Sequence, residues 1–301
     1  MWTTVTNSGG FTEEELSIQQ IKRETLNSRV QAARSLANRM QVGPDGSRVF
    51  VRFSPAERRE HIVLMLSFGT LAVTGLLQTF SSLPPVAFLI QIVGGVDAIR
   101  VIHRLAAIVC AVLSFYHVWR ILEIWFVKRE RGGMWPYFRD LQNLVQMVKF
   151  NAGLTKKMPQ FDRYTIEEKL EYWALLWGQM VMGLTGFIMW FPLLVTTALP
   201  GQVFPVAQAL HRWEAILAAL AILTWHMYNG CIKDRNRSIF TGLMSEAEMQ
   251  HMHPLEYQRI LAADEFLKKV AAANASTPSE TATVARRKLD QGTTAVVGGA
   301  D

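Results

Sequence analysis

The chain has 301 residues, 50% of them hydrophobic, a net charge of +6 and a mean hydropathy of +0.14. The apolar residues gather in long blocks instead of mixing with charge, which excludes an ordinary soluble domain and points to the bilayer. Its two cysteines, Cys110 and Cys231, are far apart and form no C-x-x-C-H motif, which argues against covalent haem attachment and against a disulfide framework.

Residues 1–54 are polar and charged, with no early apolar stretch of the kind that marks a signal peptide. Thr12-Glu13-Glu14-Glu15 has capping-box spacing and opens a charged helix expected to reach about Met40. Pro44-Asp45-Gly46 signals a turn, and Arg48 to Phe53 reads as a short extended piece. Ser54-Pro55-Ala56-Glu57 supplies an N-cap, a proline at the first helical position and a glutamate at the third.

Residues 55–240 then carry four apolar segments, at about 61–80, 101–127, 172–199 and 206–231. Each is long enough to span a bilayer at about 1.5 Å per residue. Arginines and lysines crowd the N-terminal flank (Arg48, Arg52, Arg58, Arg59), the 128–169 loop and the C-terminal flank (Lys233, Arg235, Arg237), while the other two loops are nearly free of them. Both termini and the middle loop are therefore expected on the cytoplasmic side of the inner membrane. Within that loop, Trp135 to Leu154 reads as an amphipathic helix lying in the interface. Residues 241–273 read as a polar helical tail, and 274–301 as disordered. The fold class is an all-α membrane bundle of four helices with cytoplasmic helical extensions at both ends. Its expected surroundings are membrane lipid, with no nucleic acid.

An internal repeat runs through the bundle. Glu60-His61 precedes Thr74-Gly75 by the interval at which Glu171-Tyr172 precedes Thr185-Gly186. Each of these helices is followed by one bearing two histidines: His103 and His117, then His211 and His226. Two related helix pairs around a shared interior site follow from that pattern.

Five of the seven histidines lie in the spans, where an ionisable group is costly and reads as functional. Fourteen residues separate His103 from His117, and fifteen separate His211 from His226. Those spacings place each doublet within about 40–60° of one helix face and about 21 Å apart along the axis. Two such helices side by side offer two bis-imidazole sites, one near each membrane surface, which suits two non-covalent haems b. A single zinc cluster is argued against by the axial separation. His103 and His211 form the outer pair. Three histidines stand level at the inner end, where the repeat selects His117 with His226 and maps His61 onto Tyr172.

Gly69, Gly75, Gly178, Gly183 and Gly186 on the first and third spans permit close approach of a backbone or a flat macrocycle. Arg100, Arg104 and Arg212 near the outer histidines suit haem propionates, as do Arg58, Arg59 and Arg120 near the inner ones, where positive-inside bias explains them equally well. Tyr228, Asn229 and His61 are candidate quinone contacts. His251 and His253 read as solvated surface residues.

Over roughly residues 50–250 the chain resembles the cytochrome b subunits of respiratory formate dehydrogenases, hydrogenases and related membrane oxidoreductases. The resemblance is carried by Arg59-Glu60-His61, Ile102-His103-Arg104, Phe115-Tyr116-His117, Lys169-Leu170-Glu171-Tyr172-Trp173, Leu210-His211 and Trp225-His226-Met227-Tyr228. It implies two haems b, with His103 and His211 on the outer haem and His61 and His226 on the inner one. It also implies electron exchange between menaquinone or ubiquinone and a partner redox subunit, an iron–sulfur protein or a multihaem cytochrome c. His117 departs from that family and is similar instead to the ligand spacing of bc-type cytochromes b, so the inner partner of His226 is His117 or His61. No residue of the chain itself is assigned a catalytic role. The rival functions are a membrane anchor that carries no electrons and a proton-coupled transporter. The five intramembrane histidines speak against the first. Pro192, the sole proline within the expected spans, leaves the second without matched broken helices.

Overall fold

The computed structural model describes residues 13–127, 133–233 and 235–276. They fall into two compact units, one running from Val42 to Glu256 and the other joining the described parts of Met1–Gln41 and Tyr257–Asp301. Most of the segment 274–301, expected to be disordered, lies outside the described residues, as do Thr12 and the charged stretch 128–132.

The elements in order are helix α1 (Glu13–Ala37), strands β1 (Met40–Val42) and β2 (Arg48–Val51), helices α2 (Pro55–Thr79), α3 (Pro84–Val93), α4 (Val96–Leu122), α5 (Phe138–Asn151), α6 (Ile166–Trp190), α7 (Pro192–Thr196), α8 (Val203–Ala221) and α9 (Ser238–Thr241), strand β3 (Leu243–Ser245), and helices α10 (Glu246–Met252) and α11 (Pro254–Ser276). Wider π-turns extend α4 over Glu123–Val127 and α8 over Ile222–His226 and Tyr228–Lys233.

Among the described residues four helices are long and apolar enough to cross a membrane: α2, α4, α6 and the continuous Val203–Lys233 helix. The protein is thus a multi-pass helical membrane bundle. α2 packs on α4 and α6 on α8, and contacts of α2 with α8 and of α4 with α6 close the ring. Leu66 and Ser67 show how a span differs from a soluble helix. Apolar side chains such as Leu66, Val73 and Leu105 are outward and exposed, while Ser67, Thr74 and Thr185 are buried. The buried hydroxyls bond backbone carbonyls one turn back, which keeps them satisfied away from water.

The starts of the two helix pairs are built alike. Ser54 accepts from the Glu57 amide at 3.3 Å while Glu57 accepts from the Ser54 amide at 2.7 Å. Thr165 and Glu168 repeat this box at 3.2 and 2.9 Å. The spacing between Ser54 and Thr165 equals that between His61 and Tyr172, so the repeat begins at the helix caps.

The end of the third span and the first connection differ from the sequence reading. The third span ends at Trp190, because Pro192 disfavours helical backbone at Phe191, which sits at φ −119°, ψ 58°. The first connection holds an additional short apolar helix, α3, ended by Gly94 and Gly95 at φ 106° and 94°, values that a side chain would resist.

Outside the spans, β2 pairs antiparallel with β3, setting buried Phe50 opposite buried Met244. Arg52 follows directly and is nearly inaccessible. Its Nη2 lies 3.0 and 3.1 Å from the two Glu168 carboxylate oxygens, it donates to the Arg163 carbonyl, and its plane lies 4.9 Å from the Tyr164 ring centroid. Glu256 approaches it at 3.8 Å. Nearby, Lys169 meets Asp140 at 2.8 Å, pinning α5 to the start of α6, where Met147, Phe161 and Ile166 form a small apolar core. The opposite face of α5 leaves Phe138, Leu141, Val145 and Val148 exposed at helical spacing. In the other unit, α11 carries the pairs Asp264–Lys268 at 2.8 Å and Glu265–Lys269 at 2.7 Å.

Candidate haem-binding site

Two histidine pairs face each other inside the bundle. His103 of α4 and His211 of α8 have ring centroids 6.3 Å apart, and His61 of α2 and His226 of the α8 extension have theirs 6.2 Å apart. Two iron–nitrogen bonds of about 2 Å, with the half-width of each ring, put the centroids of a bis-imidazole pair roughly 6 Å apart. Both pairs therefore have the separation that an intervening iron requires.

The tautomers fit as well. Thr74 Oγ1 donates to the Thr70 carbonyl at 2.6 Å, so it is an acceptor toward His103 Nδ1, 2.8 Å away. Thr185 Oγ1 donates to the Val181 carbonyl at 2.7 Å and accepts from His211 Nδ1 at 2.9 Å. A Glu171 carboxylate oxygen accepts from His226 Nδ1 at 2.8 Å. A proton held on Nδ1 leaves the Nε2 lone pair of all three rings for a metal.

Gly75 and Gly186 complete the correspondence. A Cβ on either would stand 3.4 Å from Cε1 of His103 or His211, so both imidazoles lie directly against bare backbone. Gly178 makes room instead for Glu214, whose Oε1 would stand 2.8 Å from a Cβ there. Gly69 and Gly183 face open space.

His117 does not face His226. Its Nδ1 lies 2.9 Å from a Glu60 oxygen and its Nε2 lies 3.0 Å from the Tyr172 hydroxyl. Both ring nitrogens are occupied by protein and no gap remains for a metal between its ring and that of Tyr172. The repeat relates His117 to His226, but related residues of a twofold stand on opposite sides of its axis, and the imidazole that faces His226 comes from α2.

The π-turns account for the unequal spacings. A π-turn inserts one residue into an α-helix, so fifteen residues from His211 to His226 span the helical angle of about fourteen. That restores the equivalence with the fourteen between His103 and His117.

The arginines divide. Arg58 donates to the Phe240 carbonyl, Arg120 pairs with Glu60, and Arg100 pairs with Asp97 at 3.0 Å. Arg104 lies over the Trp190 ring at 5.3 Å, and Arg59 and Arg212 are exposed. Tyr228 is exposed, whereas the Asn229 amide nitrogen is buried without a partner, one turn beyond His226. His253, expected on the surface, is fully buried and donates through Nδ1 to the Asp162 carbonyl at 2.8 Å; His251 is exposed as expected. Sequence reasoning missed Thr74, Thr185, Glu60 and Glu171 as partners of the histidines, although their spacing had defined the repeat.

Residues 52–242 match the prokaryotic cytochrome b561 family. The chain belongs to that family. It is also similar to the cytochrome b556(Fdn) subunit of the nitrate-inducible formate dehydrogenase of Escherichia coli K12, at 25% identity over 219 residues, 72% of this chain and 94% of the relative. The cytochrome b556(fdo) subunit of formate dehydrogenase from the same strain is 24% identical over 214 residues, covering 70% and 92%. As a member of the cytochrome b561 family the chain is a membrane cytochrome b that carries electrons, and membership implies haem b. The family match spans all four transmembrane helices and both histidine pairs.

Proposed function

We propose that the chain holds two non-covalent haems b, one between His103 and His211 and one between His61 and His226, and carries electrons between the quinone pool and a partner redox subunit. The observation that supports this reading most is the pair of matched imidazole separations, 6.3 and 6.2 Å, on a helix that contributes to both. The shared helix would set the two irons about 21 Å apart along its axis, one toward each membrane surface.

The chain's own residues have definable parts. Thr74, Thr185 and Glu171 fix imidazole orientation and tautomer. Arg104 and Arg212 supply cationic charge beside the His103–His211 pair for propionates. The unpartnered Asn229 amide is a donor for a propionate of the His61–His226 haem. When bound, the haem supplies one-electron redox chemistry, and the protein supplies its ligands and a dry, shaped enclosure.

The basic flanks orient both termini to the cytoplasm of the inner membrane, which makes His61–His226 the inner pair. The names of the Escherichia coli relatives favour redox subunits of a formate dehydrogenase as the partner. The partner's electron carrier is then an iron–sulfur centre or a multihaem cytochrome c, and the quinone is menaquinone or ubiquinone. Acid–acetone extraction and haem quantitation of the purified chain should give two haems per polypeptide, all extractable. One haem, none, or haem retained on the protein would overturn this reading.

A further inference from the structure

The pseudo-twofold gives the His61–His226 pair a twin. On one side, His61 of the first helix pair faces His226 of the second, and Glu171 holds His226 Nδ1. On the other, Tyr172 of the second pair faces His117 of the first at 5.8 Å between centroids, and Glu60 holds His117 Nδ1. The parts are the same, with a phenol where the first site has an imidazole. We infer that the His117–Tyr172 site binds the quinone headgroup; this rests on the quinone-linked reading above.

The hydrogen-bond chemistry of the pair fits such a ligand. The Glu60 carboxylate, which also accepts from Arg120, can only accept, so His117 Nδ1 carries the proton and Nε2 is left as an acceptor. The Tyr172 hydroxyl donates to that Nε2. One donor and one acceptor are thus satisfied by each other alone. A quinol hydroxyl can replace the phenol as donor to Nε2, and a quinone or quinol oxygen can accept from the freed phenol. A quinol offers both partners, so its binding leaves neither Nε2 nor the phenol unpaired, whereas a quinone, which only accepts, pairs with the phenol alone.

Access and surroundings agree. The His117 side chain is 36% exposed on a membrane-spanning helix, which leaves it open to a lipid-soluble ligand. Trp173 stacks edge-on against Tyr172 at 5.9 Å, and Tyr116, half exposed, lies on the same turn of α4 beneath Arg120 at 6.0 Å. Flat aromatic surfaces of this kind accommodate a quinoid ring. The site also adjoins the haem, because Glu60 and His61 are successive residues of α2 that serve the two sides.

Photolabelling of the haem-loaded full chain with an azidoquinone tests this, with the labelled peptides mapped by mass spectrometry. Saturable label, chased by excess quinone, is expected at the end of α4 near Tyr116–Arg120 and the start of α6 near Tyr172. His117→Leu and Tyr172→Phe should each reduce it at least tenfold while the low-spin haem spectrum is retained. Saturable label confined to the Tyr228–Asn229 region and indifferent to both substitutions would overturn this site and leave quinone binding standing. No saturable label in a fully haem-loaded chain would overturn the quinone reading and this site with it. Loss of a haem in His117→Leu would overturn the assignment of His117 to quinone.

Discussion

The Thr74 hydroxyl lies 2.8 Å from His103 Nδ1 and, on the other helix pair, the Thr185 hydroxyl lies 2.9 Å from His211 Nδ1. Two threonines thus hold the two imidazoles of one site in the same tautomer. Groups in that role commonly change metal affinity by about 10–100-fold when removed. Thr74→Val and Thr185→Val should therefore perturb the same haem, and Glu171→Gln the other. Redox titration should show each threonine substitution moving one common component and Glu171→Gln moving the second. Different components moved by the two threonine substitutions would break the pairing of His103 with His211.

Gly75 and Gly186 lie against the same two rings. A Cβ at 3.4 Å is ordinary contact, so alanine should be tolerated at both. The branched methyls of valine have no such room and would push the imidazole off its axis. Gly75→Val and Gly186→Val should each lose the haem held by His103 and His211 and keep the other, as read by haem content and the optical spectrum.

The repeat shows how far the sequence was legible. Histidine spacing placed the five membrane histidines, and basic residues marked the helix ends. Polar residues at equal intervals, Glu60 with Thr74 and Glu171 with Thr185, were visible as landmarks. Their contacts were not, because a hydrogen bond across two helices depends on rotation about each axis. The repeat favours His117 over His61, whereas the ring that faces His226 is His61, for a related reason. Equivalence by repeat identifies residues related across the twofold axis, while a ligand pair needs residues that meet across a shared gap. Glu214, a carboxylate within the fourth span, and the short helix α3 leave little mark on the sequence, because neither interrupts the apolar run.

In the sequence Arg52 is one more positive charge at the membrane edge, yet it is buried between Glu168, Glu256 and the Tyr164 ring. Removing one partner from a buried ion pair leaves the others uncompensated and costs about 3–5 kcal/mol. Arg52→Met should lower the thermal stability of the detergent-solubilised chain accordingly, with less effect from Glu168→Gln, whose side chain retains solvent contact. A substitution of Arg52 that leaves Tm unchanged would contradict its structural role.

His253 gives the same region a pH dependence. Burial first, and then the Arg52 guanidinium, hold its imidazole below the ordinary range, against smaller opposing effects of Glu168, Glu256 and the Asp162 carbonyl. The unfolded chain then binds a proton at this position more readily than the folded one. Its contribution to stability is full above about pH 6.5 and is lost as pH falls below that value toward the depressed folded-state pKa. Thermal unfolding between pH 7.5 and 5.5 should show a decline in Tm that is shallower in His253→Asn. An equal decline in both would assign the pH dependence elsewhere.

The pairing of His226 with His61 is the assignment on which the second haem site and the quinone site depend. Electron paramagnetic resonance of the oxidised His61→Ala and His117→Ala proteins tests it most directly, since loss of an axial imidazole turns a low-spin ferric haem high-spin or empties its site. The low-spin signal of one haem should vanish in His61→Ala, and both low-spin signals should persist in His117→Ala. Loss of a signal in His117→Ala with both retained in His61→Ala would contradict the account.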